Sequence, residues 1–280
     1  MLFSIVTPSY RNSDWLKLCI ASVADQCVPV EHIVQDAGSD DGTLDWLTTD
    51  QRVRAFVEKD AGMYDAVNRG LQRAQGEILA YLNCDEQYLP GALETVRDFF
   101  SANPDMDVVF GDFVVVDSCG EYLFHRKVQV PLKHHLWVSH LPAFSCGMFF
   151  RRKLIHEHGI LFNSNFRIVG DGDWVLRLLQ RQTRMAVLRT FTSVFTLHGA
   201  NLGVGENARR ENQALRDTAP VWAQSLKPLL ILHHRLRRLT GGIYFQRPFS
   251  FNLYTRQNPA SRIQRDVKSP RFRWRIPTTA

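Results

Sequence analysis

The chain has 280 residues, 45% hydrophobic and 22% charged, which is enough apolar material for a real core and too much for a disordered segment. No window approaches the roughly 18 uninterrupted apolar residues of a spanning helix, and the start MLFSIVTPSYRN has neither a basic n-region nor a small-residue cleavage site. Net charge is +6 but unevenly spread: residues 221–280 hold 12 Lys and Arg against one acid, Asp266, whereas the first 220 hold 22 against 27 acids.

The first half alternates between strand-like and helix-like runs. FSIVTP (3–8), HIVQD (32–36), VRAFVE (53–58), EILAYLN (77–83) and DVVFGD (107–112) are short and β-rich. Helical patterns fall between them at about 13–26, 43–50, 63–75 and 89–102. This spacing predicts an α/β fold built on a mainly parallel sheet covered on both faces. Further on, VVVDSCGEYLFHRK predicts a hairpin turning at Ser118-Cys119-Gly120, and FSCGMFFRR a strand leading into a short helix. DWVLRLLQR (173–181) has helical period, and MAVLRTFTSVFTLHG (185–199) is strand-like. The composition turns basic near 219–221, so the expected division is a body at 1–220 and an extension at 221–280. Five cysteines without a CxxC pair suit free thiols in a reducing, cytoplasmic compartment.

Ligands of parallel sheets bind beyond the carboxyl ends of the strands. Here those ends are Thr7-Pro8-Ser9-Tyr10, Asp36-Ala37-Gly38-Ser39, Glu58-Lys59-Asp60 and Asn83-Cys84-Asp85-Glu86, and three of the four carry acids. The acids of YLNCDE could hold a hard divalent cation, or could cap the helix beginning near Leu89-Pro90. DAGSDDGT is turn chemistry with Asp41 or Thr43 as a cap; it is no calcium loop, because the twelfth position is Leu47. Gly203-Val204-Gly205-Glu206-Asn207-Ala208 fits dinucleotide-loop spacing, but no βαβ unit follows. In DAGMYDAVNRG, Tyr64 and Asn68 share one helix face, suited to ligand contact, and Asp65 and Arg69 share another, suited to an ion pair. Gly170-Asp171-Gly172-Asp173-Trp174 sets two acids at a helix start, where they could cap it or supply a general base.

In their order and spacing, TPSYRN, QDAGSDDGT, EKDAGMYDAVNRG with GEILAYLNCDE, and GDGDWVLRLLQR resemble family 2 glycosyltransferases, over about residues 3–200. The resemblance is strongest to the bacterial branch whose hallmark reads roughly GIYDAMNKG. It implies a GT-A fold, a nucleotide-sugar donor with uridine favoured, a divalent cofactor (Mn2+ or Mg2+) and inversion at the anomeric carbon. By it, Tyr10 and Asp36 match donor-nucleotide positions, with Pro8 shaping the loop between them. Asp60 and Asn68 match the diphosphate and ribose side, and Asn83 stands at the head of the metal motif, with Asp85 the ligand. Asp171 matches the catalytic base, while His140 and Asp173 fall on the acceptor side. His198 is either an added metal or diphosphate contact or a structural strand-end histidine. The chain departs from many relatives at Ala37, where a second acid is usual, and at Glu86, where Asp is usual. Cys84, a soft thiol, is expected to pack away from any hard cation.

The implied activity is transfer of a sugar to a glycan or lipid-linked glycan in bacterial polysaccharide synthesis. A nucleotidyltransferase acting on sugar phosphates and a non-catalytic sugar-nucleotide-binding module are the alternatives. In the tail, Trp222, Leu226, Leu229, Leu232, Leu236 and Leu239 step by three or four among basic residues, predicting an amphipathic helix begun or kinked at Pro228. Two readings stay open and can coexist. Either the apolar stripe packs on the body, or the helix lies on an anionic membrane, helped by RPFSFNLYTR and RFRWR, peripheral to the inner face. No nucleic-acid motif is present, so nucleic acid is not the expected partner.

Overall fold

The alternation of strand and helix along the first hundred residues is realised element by element, and the computed structural model describes residues 1–199 and 206–273. The body runs β1 (Phe3–Ser9), α1 (Ser13–Ala24), β2 (Val30–Asp36), α2 (Thr43–Leu47), β3 (Arg54–Val57), α3 (Met63–Arg73) and β4 (Ile78–Tyr81). It continues through β5 (Glu86–Tyr88), α4 (Ala92–Ala102), β6 (Val108–Val116), β7 (Tyr122–Arg126) and α5 (Lys133–Val138). Then follow β8 (Met148–Arg151), α6 (Lys153–His156), α7 (Gly170–Gln180) and β9 (Met185–Thr196). The chain closes with α8 (Glu206–Asp217), α9 (Val221–Ser225), α10 (Lys227–Thr240), β10 (Phe249–Thr255) and β11 (Asn258–Val267).

Among the described residues nine strands form one sheet, ordered β3-β2-β1-β4-β8-β6-β9-β5 with β7 beside β6. The parallel character expected for most of the sheet holds for β3-β2-β1-β4 and for β6 beside β9. The other pairings are antiparallel, because β8 runs against β4 and β6, β7 against β6, and β5 against β9. Strand β1 is buried along its entire length, as a strand covered on both faces must be. Helix α3 packs across it through Tyr64, Val67 and Leu71. Gly70 permits this approach, since a Cβ there would lie 2.4 Å from Val6 Cγ1. The hairpin turns where expected, with Gly120 left-handed at φ 79°.

The extension departs from expectation in one respect. It is not purely helical: β10 and β11 form an antiparallel hairpin, and Phe251, Leu253 and Val267 share a core with Leu89, Val114, Val116 and Val194. The apolar residues of RPFSFNLYTR therefore belong to the interior and not to a membrane surface, because alternation along β10 buries Phe251, Leu253 and Thr255. Of RFRWR, only residues 271–273 are described, and Phe272 forms a bridge with His125. Of the stretch 203–208 singled out in the sequence, residues 203–205 likewise lie outside the described residues, and Glu206–Ala208 belong to α8.

For α10 two readings stood open. It begins at Lys227 with Pro228 in its first turn, as expected. The leucine stripe, however, does not pack on the body. Leu229, Leu232, Leu236 and Leu239 are exposed, and His234 and Arg238 are the buried residues of the helix. The surface offered by the body is itself histidine-rich. The His234 ring stacks on His135 of α5 at 3.6 Å and 14°, and the Arg237 guanidinium donates to the Val130 carbonyl at 3.1 Å. The polar face fits that surface and the leucines are left outward.

Candidate active site

Strands β1, β2 and β3 end level with one another, Ser9 opposite Asp36 and Asp36 opposite Val57, so their following loops gather at one edge. Pro8 lies inside β1, opposite Gln35. The Asp36 carboxylate is buried and accepts four hydrogen bonds: from Ser9 Oγ at 2.8 Å, Gly38 N–H at 2.9 Å, and Ser39 N–H and Oγ at 2.7 and 2.8 Å. It thus shapes the β2–α2 loop, in which Gly38 takes φ 89°. That loop is clasped to β1 by Arg11, itself left-handed at φ 52°, whose guanidinium grips Asp40 at 2.5 and 2.6 Å. Tyr10 stands 51% exposed beside it, one face against the Arg11 guanidinium and the rest open to a flat ligand. Asp41 accepts from Thr43 N–H at 3.2 Å in the turn into α2, but the N-cap position expected of Asp41 or Thr43 is taken by Gly42, whose φ of 83° sets the left-handed turn.

After β3, Asp60 accepts from Gly62 N–H at 2.8 Å and turns the chain into α3. The Asp65–Arg69 ion pair is present at 2.8 Å. The Tyr64–Asn68 face does a different job from the ligand contact expected of it. Asn68 uses both amide groups on the Phe162 main chain, at 2.8 Å each. Tyr64 is buried; its hydroxyl donates to the Ile168 carbonyl at 3.0 Å and accepts from Asp171 N–H at 3.2 Å. Together they clamp the segment that delivers Asp171.

Beyond β4, the four residues of NCDE divide their roles. Cys84 is buried with Leu16, Ile20, Val34 and Leu47, the packing role that its softness predicted. Glu86 is fully buried and accepts the Asn83 N–H at 2.9 Å, closing the turn into β5. Burial, and next the Asp85 charge, hold the Glu86 carboxyl well above the usual carboxylate range. Asp85 instead reaches His198, just past the end of β9, with Oδ2 and Nε2 2.7 Å apart. The His198 ring stacks on Trp15 at 5.7 Å and 17°, which fixes its orientation. One carboxylate oxygen and one imidazole nitrogen form a donor pair that suits Mn2+ and tolerates Mg2+, and Asn83 Oδ1, two residues before Asp85, is buried with no hydrogen-bond partner.

Asp171 occupies the first turn of α7. Gly172 N–H donates to its Oδ1 at 2.8 Å, but burial dominates and pushes its carboxyl up to about 6. Gly170 before it must be glycine, since a Cβ there would lie 2.6 Å from Tyr64 Cε2. The preceding turn is held by Glu211 of α8, whose carboxylate accepts from Arg167, Ile168 and Val169 N–H at 2.8, 2.8 and 3.1 Å. Asp173 is engaged by Arg177 at 2.9 Å within α7. Asp171 and Asp85 come from opposite halves of the chain, and the charge of each acts on the buried Glu86 to raise its carboxyl.

His140 lies against the extension. Its Nδ1 is 2.7 Å from Ser139 Oγ, and its Nε2 is 3.2 Å from Arg238 Nη2 of α10. Burial, with His135 and Arg238 adding to it, keeps it neutral. Sequence reasoning missed Glu211, which sits among charges on an exposed helix with no local sign of its partner. Tyr64 was singled out by its helix face but not for its contact with the Asp171 turn, more than a hundred residues away.

Residues 4–159 match the model of the family described as Glycosyl transferase family 2. An uncharacterised glycosyltransferase of Rickettsia conorii is 29% identical over 61% of this chain and 30% of its own. A PGL/p-HBAD biosynthesis glycosyltransferase of Mycobacterium tuberculosis is 30% identical over 63% of this chain and 69% of its own. The chain thus spans under a third of the first relative and just over two thirds of the second. Among solved structures, S. aureus TarS 1-349 in complex with UDP has a TM-score of 0.58 at 18% identity, covering 86% of this chain and 72% of that one. The Pyrobaculum calidifontis mannosyltransferase PcManGT, in complex with GDP-Man and Mn2+, has 0.56 at 18%, covering 84% and 69%. These likenesses place the α/β sheet and its flanking helices among GT-A-like folds.

Proposed function

The chain belongs to glycosyl transferase family 2, and on that premise we propose that it is a metal-dependent inverting glycosyltransferase. It would move one sugar from a nucleotide-sugar donor, with UDP-sugar favoured, to a glycan or lipid-linked glycan acceptor in polysaccharide synthesis. The observations that support this reading are the Asp85–His198 pair just beyond β4 and the hydrogen bond by which Tyr64 of α3 holds the turn carrying Asp171. The UDP named for TarS and the GDP-Man and Mn2+ named for PcManGT support the choice of donor class and cofactor.

In this proposal the nucleobase stacks on the open face of Tyr10, beside the loop shaped by Asp36, while Pro8 is buried within β1. Asp60 and Asn83 line the diphosphate side. Asn68 acts on the donor side through the Phe162 segment that it holds. Asp85, with His198 as a second donor, would hold the cation, which neutralises charge on the leaving diphosphate when bound. Asp171 takes the proton of the acceptor hydroxyl, a task worth typically ~10²–10⁴-fold. Its raised pKa suits that task, because a base near neutrality both accepts the proton and is largely ionised at pH 7. The base must face the anomeric carbon opposite the leaving group, and α7 delivers it from the second half of the chain while β1–β4 hold the donor. Asp173, through Arg177, and His140 complete the acceptor side.

The proposed location is cytoplasmic, supported by five free cysteines of which Cys27 and Cys119 are exposed. The decisive test is a thermal-shift panel of nucleoside diphosphates and nucleotide sugars with and without Mn2+, followed by assay of nucleoside diphosphate release. Donor-dependent release that EDTA suppresses is expected. Pyrophosphate release instead would identify a nucleotidyltransferase, and tight donor binding without turnover for any acceptor would identify a binding module.

A further inference from the structure

Among the described residues, eleven large apolar side chains are exposed, and nine of them lie between 221 and 245. A soluble surface scatters such residues singly; a contiguous concentration marks an interaction face. On α10, Leu229, Leu232, Leu236 and Leu239 recur at three- and four-residue intervals and so form one stripe, 50–66% exposed. Trp222 of α9 precedes the stripe and Phe245 follows it, 50% and 69% exposed. The stripe faces away from the body because the opposite face of the helix is occupied. His234 and Arg238 are buried there, against His135 and His140.

Charge identifies what covers this face. Between Thr218 and Arg265 the chain contains no acid, while Lys227, Arg235 and Arg247 are exposed. A second copy docked stripe to stripe would set these cations against their own counterparts, at a repulsive cost. An anionic bilayer accepts both features, taking the leucines at the headgroup boundary and the cations at its negative surface. Aromatic rings at both ends of the stripe suit the same boundary.

We propose that α9 and α10 dock this chain on an anionic bilayer through the outward leucine face, with the inner His/Arg face fastening the docked helix to the body. A consequence, which rests on the glycosyltransferase reading, is the acceptor class. Helix α10 packs on α5, and α5 packs on α7, which carries Asp171. At ~8–10 Å between packed helix axes, the bilayer surface lies on the order of 20 Å from the catalytic carboxylate. A glycan carried on a membrane-embedded lipid phosphate spans that distance without leaving the bilayer, so the acceptor is lipid-linked.

The test is co-sedimentation of the full chain with vesicles of phosphatidylcholine alone or with phosphatidylglycerol, at low and high NaCl. The wild-type chain should pellet with phosphatidylglycerol vesicles, less so at high salt and least with phosphatidylcholine alone. The double variant Leu232→Glu, Leu236→Glu should bind at least ~10-fold more weakly, since two apolar contacts become repelled carboxylates. Both positions are solvent-facing, so its thermal melt and its nucleoside diphosphate thermal shift should match wild type. Those controls separate failure of docking from failure of the donor site. Equal vesicle binding by the variant would overturn the proposal. So would absence of wild-type binding, whether the chain is then monomeric by sedimentation equilibrium or forms a dimer that the substitutions disperse. Transfer to a water-soluble glycan as fast as to its lipid-linked form would overturn the acceptor class alone.

Discussion

Replacing Asp171 by Asn should move activity and stability in opposite directions. Asn keeps the size of the side chain and an oxygen to accept the Gly172 N–H, so the α7 start should survive. Catalysis loses its base, and turnover should fall by ~10²–10⁴-fold. Stability should rise, because the fold holds this carboxyl at about 6 against an ordinary 3.8. At 1.36 kcal/mol per pKa unit, that difference corresponds to at most about 3 kcal/mol of penalty for ionised Asp171 in the fold, which its partial exposure reduces. The folded pKa is the higher one, so folding favours the protonated acid. That favourable contribution is whole below about pH 3.8 and is lost as pH rises through 6. The variant never ionises, so its advantage over wild type should be absent near pH 4 and reach its plateau above pH 7. Urea denaturation of both proteins at the two pH values, beside nucleoside diphosphate release, measures all of this. Full turnover by the variant, or a stability gain equal at pH 4 and pH 8, would refute the assignment of Asp171 as a buried base.

Four other outcomes follow from the site. In wild type, kcat/KM should climb with pH and level off above about 6, where Asp171 is ionised; a profile flat from pH 5 to 8 would count against it. Asp85→Ala should abolish the thermal stabilisation given by Mn2+, and His198→Ala should weaken it; an unchanged Mn2+ response in Asp85→Ala would remove that residue from the site. Gly170→Ala should destabilise by about 1–3 kcal/mol, because its Cβ would press on the Tyr64 ring; a urea midpoint within error of wild type would show that the ring yields freely. Glu211→Ala removes the acceptor shared by three main-chain N–H groups before Asp171, so kcat should drop more than KM changes, with Glu211→Gln restoring part of it. Equal kinetics for Glu211→Ala and wild type would reduce Glu211 to a surface contact.

Much of the frame was legible because it rests on local rules. The apolar run FSIVTP, the turn residues around Gly38 and the three-to-four spacing of Tyr64, Val67 and Leu71 each specify their element within a few residues. The acids at the strand ends were legible too, since a parallel sheet places all its βα loops on one edge. Cys84 could be assigned to packing from its chemistry alone. What local rules could not show was how each carboxylate would be used. Asp36 and Asp85 are alike at strand ends, yet the first is saturated by its own loop while the second reaches His198 across 113 residues. Glu86 and Asp85 are adjacent, and only the turn into β5 decides which of them is buried.

The C-terminal extension shows the same division most sharply. Composition by itself determined that residues 221–280 are basic, and periodicity determined that a helix with a leucine stripe begins near Pro228. Which face of that helix meets the body was a property of the partner surface. His135 and His140 lie far from α10 in sequence, and only the folded chain brings them against His234 and Arg238. An amphipathic pattern states that a helix has two unlike faces. The complementarity of the surface it meets decides which one turns inward, and here that was the polar face.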